Sequence, residues 1–592
     1  MKQFFKMAFA TVVGIFLFLL ISGLLCTMCL VGLVASSSSS IKAEKNSVFV
    51  LNLSGALEER SEADFMSLLM GGSSSSIGLE ETLAAIKKAK KDNNIKGIYI
   101  EAGMFSSDSW ASLQTLRKAL MDFKKSGKWI IAYADTYTQG TYYLATAADK
   151  VYLNPEGQVD WHGLAGEPIF LKDVMAKFGV KMQLSKVGTY KSAPEQFTAD
   201  HMSDANREQV TAYINGIWDN VLNDVSASRQ ISKEKLNEYA DSLITFSPAT
   251  ELIAKKMIDG TLYTDEVKDV VRKKLGLDAD EKVPQLGIAE MQRLKSKDGD
   301  GEEIAIYYAV GDIVDGSAQG LTGSGPVIDA QVVCRDLADL TEDDDVKAVI
   351  LRVNSGGGSA YASEQIWRQV ELLKKKKPVV VSMGGMAASG GYYISCNSNW
   401  IVAEPTTLTG SIGIFGMFPD ASELLTQKLG VKFDEVKTNK YSNFGTMSRP
   451  FTPDEMSYID RYVDCGYKLF RQRVADGRKM AVDSIEIIAQ GRVWLGQDAL
   501  KNHLVDQLGT IDDAVVKAAA LAKLDEYHTT AYPAPKSTFE QIFSSASEGR
   551  DNYLYKTMKE SFGEFYEPLM LLKDINNHNA IQARVPFSMN IR

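Results

Sequence analysis

Apolar positions along the chain follow two regimes. From Met7 to Ala35 they run without a single charged residue, after Lys2 and Lys6. Beyond Ile41, short apolar runs of strand length alternate with longer segments of helical period. Strands are predicted at Ile95-Lys-Gly-Ile-Tyr-Ile100 and Val346-Lys-Ala-Val-Ile-Leu351, each followed by a helical pattern, Ala111–Lys125 and Ala362–Lys375. A second strand follows each helix, Trp129–Ala134 and Pro378–Met383. Strands alternating with helices of this length imply crossover connections and an α/β fold.

The same order of elements occurs twice because the chain is an internal repeat. Gln139-Gly-Thr-Tyr-Tyr143 matches Ser389-Gly-Gly-Tyr-Tyr393 at an offset of 389 − 139 = 250, and Asn154-Pro155 matches Glu404-Pro405 at the same offset. Lys177-Phe-Gly-Val-Lys181 pairs with Lys428-Leu-Gly-Val-Lys432 at 251. The division expected is a cytoplasmic N-terminus 1–6, a transmembrane segment 7–35, a serine-rich linker 36–46, repeats 47–294 and 304–526 joined by a linker 295–303, and a tail 527–592 to which no role is assigned. Within that tail, Tyr553–Tyr566 is helix-like.

A bilayer core of ~30 Å takes about 20 helical residues, so the stretch 7–35 is long enough to span as an uncleaved signal anchor in the lipid bilayer. A long signal peptide cut near Ala35 is the alternative. The lysines before it put the N-terminus in the cytoplasm and both repeats outside. A net charge of −10 with no basic stripe gives no reason to expect nucleic acid. Of five cysteines, Cys26 and Cys29 fall inside the anchor, and Cys334, Cys396 and Cys465 read as isolated buried thiols rather than a disulfide framework. The five histidines, His162, His201, His503, His528 and His578, form no triad or metal motif, and no phosphate-binding glycine loop is present. No cofactor and no metal are expected.

Two glycine-rich segments of the second repeat remain, Asn354-Ser-Gly-Gly-Gly-Ser359 and Met383-Gly-Gly-Met-Ala-Ala-Ser-Gly-Gly391, each read as a strand-to-helix turn. Such turns leave backbone N–H groups at the positive end of a helix, where a developing oxyanion is stabilised; they also serve merely to make a tight turn. With Leu408-Thr-Gly-Ser-Ile-Gly-Ile-Phe-Gly416, Val187-Gly-Thr-Tyr-Lys-Ser-Ala-Pro-Glu195 and Ala489-Gln-Gly-Arg-Val-Trp-Leu-Gly-Gln-Asp-Ala499, these segments closely resemble the signal peptide peptidase A family in its long, double-domain form. The resemblance implies a tandem pair of ClpP/crotonase-like domains of ββα superhelical units. It also implies a serine–lysine dyad with Ser389 as nucleophile and Lys191 as base, and oxyanion amides at Gly357 and Gly390, with Gly358 close behind. A homo-oligomer, a tetramer, is implied as well, acting on signal peptides and other apolar peptides at the outer face of a bacterial cytoplasmic membrane. Where related sequences have Asn-Ser-Pro-Gly-Gly, this chain has Gly356, which leaves the loop looser than a proline would.

The repeat carries an independent argument for the pair. The slot of Ser389 in the first repeat is Gln139, which is no nucleophile, and the slot of Lys191 in the second is Ser442, since 442 − 191 = 251. Each repeat therefore holds half of a dyad, and a working site must lie where the repeats meet. Lysine at its ordinary pKa of about 10.4 is protonated and useless as a base, so the site must desolvate it; Tyr190, Phe197 and Tyr392 are the candidate apolar walls. Ser411 is the competing nucleophile, its first-repeat slot being Trp161. Ser192, Lys186 (with its counterpart Lys437), Asp160 and His162 are bystanders. A degenerate peptide-binding membrane scaffold and a crotonase-like acyl-thioester enzyme are the rival functions.

Overall fold

The computed structural model describes residues 40–61, 76–295, 301–316, 326–534 and 581–584, with scattered positions before residue 23. Among the described residues no helix is long and apolar enough to cross a membrane. Positions 13–18 are helical, whereas 23–39, which contain Cys26, Cys29 and the second half of the expected anchor, lie outside the described residues, as do 296–300 of the linker, His578 and Tyr553–Tyr566.

The first repeat builds a parallel sheet from β1 (Ser47–Glu58), β2 (Ser76–Gly78), β3 (Ile95–Ser107), β4 (Trp129–Tyr137) and β5 (Lys150–Val159). Its next strand, β6 (Lys181–Val187), leaves this sheet, while β7 (Gly260–Thr261) and β8 (Gln285–Leu286) return to it, giving the order β2-β1-β3-β4-β5-β7 with β8 beside β1.

The second repeat contributes β9 (Glu302–Val310), β10 (Asp312–Val314), β11 (Val327–Asp329), β12 (Val346–Ser355), β13 (Gly357–Ser359) and β14 (Val379–Ala388). It continues with β15 (Trp400–Ala403), β16 (Leu408–Gly410), β17 (Ile414–Asp420), β18 (Val493–Leu495) and β19 (Gln507–Leu508). Two strands come from the segment assigned to the tail, β20 (Tyr527–Tyr532) and β21 (Ile581–Arg584). The second sheet runs β18-β16-β14-β12-β9-β20, with β20 parallel to β9. Near-continuous apolar strands such as Val346–Leu351 fit a parallel sheet covered on both faces.

The helices that follow β3 and β12 span Trp110–Lys124 and Ala360–Lys374, within two residues of the sequence expectation. Both start on a serine whose hydroxyl accepts a backbone N–H three residues on, Ser109 from Ser112 and Ser359 from Ala362. The strand β14 departs from the expectation by running on to Ala388. Its Gly384 and Gly385 do not mark a turn; they let the first repeat press against the strand. A methyl on Gly384 would fall 2.5 Å from Glu59 Oε1, and one on Gly385 2.4 Å from Ser109 Oγ.

One apolar core fills the first repeat and continues into the second through Ile304, Ile350, Val380 and Ala388; another covers the opposite face of the second sheet. A third sheet, β11-β10-β13-β21-β17-β6, joins the repeats directly, since β6 of the first pairs antiparallel with β17 of the second from Ile414↔Val187 to Asp420↔Lys181. Cys396 is buried and Cys334 half-buried, but Cys465 is exposed on an amphipathic helix and is not the buried thiol expected.

Candidate active site

Ser389 sits between the end of β14 and the helix Gly390–Ser395, at φ 56° and ψ −115°. A side chain in this region costs on the order of 1–3 kcal/mol and persists only when its surroundings impose it. Here its N–H donates to Gly410 O at 2.8 Å and its carbonyl accepts from Tyr393 N at 2.8 Å, which fixes the backbone on both sides. The side chain is fully buried.

Lys191 reaches the same point from the other repeat. After β6, Gly188 turns at φ 108° so close to Gln490 that a methyl there would lie 2.6 Å from its backbone. Tyr190 N–H donates to Gln490 O at 2.9 Å, and Thr189 N–H to Gln490 Oε1 at 3.1 Å. Gln209, on the long helix Asp204–Arg229, donates to Tyr190 O and accepts from Val493 N–H at 3.1 Å. The segment Gln490-Gly-Arg-Val493 is thus the clamp that aims the lysine. Its Nζ lies 2.7 Å from Ser389 Oγ, 3.1 Å from Ser411 Oγ and 3.1 Å from Ser411 O. Lys191 is 0% exposed, and burial alone holds its pKa well below the usual lysine value. A neutral amine has two N–H donors and one lone pair. Those three contacts match it if Ser411 accepts twice and the Ser389 hydroxyl donates to the lone pair.

The walls around the lysine differ from those expected. Its stem runs beside Gly413 and Gly491, where a methyl would come 3.2 Å from Lys191 Cδ and 2.6 Å from Lys191 Cβ respectively. Tyr392 instead donates its hydroxyl to Leu504 O, and Phe197 packs with Leu171, Met175, Phe415 and Met417.

The glycine corner faces Ser389. Gly357 takes φ 99° and Gly358 φ 156°. The Gly357 amide already donates to Ser355 Oγ at 3.1 Å. Gly390, first residue of its helix, has an amide without an intrahelical partner. The fourth strand at this corner is β21, antiparallel to β13 through Gly358↔Ala583 and to β17 through Phe415↔Gln582. The Ala583 carbonyl oxygen lies where a methyl on Gly357 would approach it to 2.0 Å and one on Gly390 to 3.1 Å.

Sequence reasoning missed the group that holds this corner. Glu59, just past β1, is buried and pairs with Arg352 of β12 through Nε–Oε2 at 3.0 Å and Nη2–Oε1 at 2.9 Å. Arg352 also donates to Ser382 Oγ and Met383 O, while Asn354 donates to Glu59 Oε1 and Asp108 Oδ2 and accepts from Met386 N–H. The first repeat thereby braces the loop 354–358 from behind. The only local signal was an arginine inside an otherwise apolar strand, Leu351-Arg-Val353.

The remaining candidates lie apart from this chemistry or support it. Ser411, at φ 49°, donates its N–H to Arg492 O and presents its hydroxyl to Lys191. Gln139 fills the equivalent corner of the first repeat, accepting from the amides of His162 and Gly163 and donating to Gly163 O. Asp160 and His162 pair at 3.3 Å beside it, half-exposed and away from Ser389's repeat. Ser442 is exposed and bonds within its own turn. Ser192 accepts from Gln209, Lys186 is an exposed residue of β6, and Lys437 pairs with Glu435. Among the described residues no group of acidic, cysteine or histidine side chains is arranged to hold a metal.

Comparison with known proteins gives a consistent answer. The family model for peptidase family S49 matches residues 122–278 and again 371–525, and that for Clp protease matches 322–400. The chain is 39% identical over 487 residues to the Salmonella typhi protein named Protease 4, covering 81% of this chain and 78% of that one. It is 36% identical over 521 residues to the Haemophilus influenzae Protease 4, covering 83% and 82%. To the chloroplastic serine protease SPPA of Arabidopsis thaliana it is 31% identical over 490 residues, covering 82% and 70%.

Proposed function

Given that the chain belongs to peptidase family S49, with two tandem domains of that family and the activity of a serine peptidase, we propose that Ser389 is its nucleophile and Lys191 its general base. The observation that carries this reading is the 2.7 Å approach of a fully buried amine, with only neutral oxygens around its nitrogen, to the serine hydroxyl. Lys191 Nζ takes the Ser389 proton as Oγ attacks the scissile carbonyl, then returns it to the leaving amine. Water, deprotonated by the same amine, releases the acid from the acyl-enzyme. The oxyanion is held by the amides of Gly390 and Gly358, with Gly357 supplying the space its missing side chain leaves. A donor of this kind is worth about 2.7–4 kcal/mol in the transition state.

The substrate is an extended peptide that adds a strand between β13 and β17, so affinity comes from backbone pairing and selection from alternate side chains. Cleaved signal peptides suit such a cleft, being apolar and present where exported proteins are processed. The charge-free stretch 7–35 supports anchoring in the cytoplasmic membrane with both repeats on the outer side, and a homo-oligomer would enclose the sites there. A serine-reactive fluorophosphonate tests the dyad: label on wild type, none on Ser389→Ala and little on Lys191→Met supports it. Equal labelling of Ser389→Ala, or turnover retained by Lys191→Met, overturns it. Extraction of the full chain from membranes by alkaline carbonate, without detergent, would overturn the anchor.

A further inference from the structure

One buried side chain, Gln209, reaches the backbone that carries each half of the dyad. We propose that Gln209 is a positioning residue that sets the distance between Lys191 and Ser389; this rests on the Ser389–Lys191 reading. A glutamine that merely filled space on its helix would need no such partners. This one has a partner on either side of the junction between the repeats.

The sequence signal is a break in an apolar stripe. The helix Asp204–Arg229 buries Val210, Tyr213, Ile217 and Val221, and in its first turns the same face carries Asn206 and Gln209. Both are 1% exposed, so their carboxamides must be paired inside the protein. The helix start is tied to the lysine segment by Glu195, which accepts from Ser203 Oγ at 2.6 Å, from Ser203 N–H at 3.2 Å and from Asn206 Nδ2 at 3.0 Å. That tie brings Gln209 alongside the lysine.

Gln209 Nε2 donates to Ser192 Oγ at 2.9 Å and to Tyr190 O at 3.0 Å, the two neighbours of Lys191, with a longer contact of 3.2 Å to Asn206 Oδ1. Its Oε1 accepts from Val493 N–H at 3.1 Å. A backbone carbonyl only accepts and a backbone N–H only donates, so these partners dictate which end of the carboxamide faces which repeat. Val493 opens β18, which pairs antiparallel with β16 through Gly410↔Val493. The Gly410 carbonyl in turn accepts the Ser389 N–H at 2.8 Å, and the Arg492 carbonyl accepts the Ser411 N–H at 2.7 Å. One carboxamide therefore ties the backbone around Lys191 to the ladder that fixes Ser389 and Ser411. Gln490 holds the chain before the lysine, whereas Gln209 holds it on both sides, and Ser192 serves in this tie as an acceptor. The lysine stem is flexible, so its Nζ stays 2.7 Å from Ser389 Oγ only while the backbone beneath it is fixed.

A double-mutant cycle on the full-length protein tests this, read as the rate at which the fluorophosphonate labels Ser389. Gln209→Met keeps the length of the side chain and removes both ends of the tie. It is expected to slow labelling by about 10- to 100-fold on its own, and to leave the slow residual labelling of Lys191→Met unchanged because it acts through the lysine. Peptide turnover should lose kcat with KM little changed. If Gln209→Met does not fold, Ser192→Ala, which removes one acceptor, carries the same comparison with a smaller expected loss. An equal fold-loss with and without Lys191 makes the tie merely structural and overturns the proposal, as does labelling at the wild-type rate in the variant tested. Labelling of Lys191→Met at the wild-type rate overturns the dyad instead.

Discussion

Gly491 leaves no room for a side chain beside Lys191: a methyl on it would lie 2.6 Å from both the Lys191 Cβ and its backbone nitrogen, and its φ of 76° disfavours any other residue. The repeats meet backbone to backbone here, so Gly491→Ala must push the lysine away from Ser389. A displacement of about 1 Å costs roughly 100-fold in rate. The expected result is a loss of that order in kcat with the second-repeat core still folded, checked by steady-state kinetics beside circular dichroism.

The pH dependence follows from the buried amine. The base works only when neutral, and burial lowers its pKa, so the rising limb of kcat/KM against pH belongs below the ordinary lysine value of about 10.4. A limb at the ordinary value would contradict the assignment.

The same shift has a thermodynamic sign. Below about 10.4 the unfolded chain protonates Lys191 while the folded chain does not until the pH reaches its depressed value. Folding stability therefore falls as pH drops through that window and is level beneath it. Lys191→Met removes this loss. Its stability relative to wild type should grow as pH is lowered from about 10, as read by chemical denaturation at several pH values, while its turnover falls by about 10⁴-fold or more.

Ser411 supplies two of the three contacts on Lys191 Nζ, one through a hydroxyl that can be removed. Ser411→Ala should lower kcat/KM by roughly 5- to 150-fold, the equivalent of about 1–3 kcal/mol for one lost hydrogen bond. Fluorophosphonate labelling of Ser389 should persist. Abolition of labelling would move the nucleophile's role towards Ser411.

Glu59→Gln would leave the Arg352 guanidinium buried without its charge partner. Breaking such a pair costs about 3–5 kcal/mol. Because Arg352 and Asn354 brace the loop that carries Gly357 and Gly358, kcat should drop more than KM rises, and Glu59→Asp should recover part of it. A purely structural role would lower the denaturation midpoint without this kinetic split.

Much of this molecule was legible in its sequence. The alternation of apolar strands and helical segments gave the α/β class, the offset of 250 gave the tandem domains, and the Gln139 and Ser442 slots made a site between the repeats necessary. Those are local or periodic properties, set by the pleat, the helical turn and the identity of single side chains. The reach of β14 to Ala388, the Gln490–Gly491 clamp, the Glu59–Arg352 brace and the insertion of Ile581–Arg584 were not legible. Each depends on groups far apart in the chain brought together by the pairing of β6 with β17 and by a shared core. An apolar pattern specifies that a face is buried, but not which distant face covers it. Only the docked repeats decide that Lys191 loses its water, and burial then lowers its pKa in the direction that the proposed role of base requires.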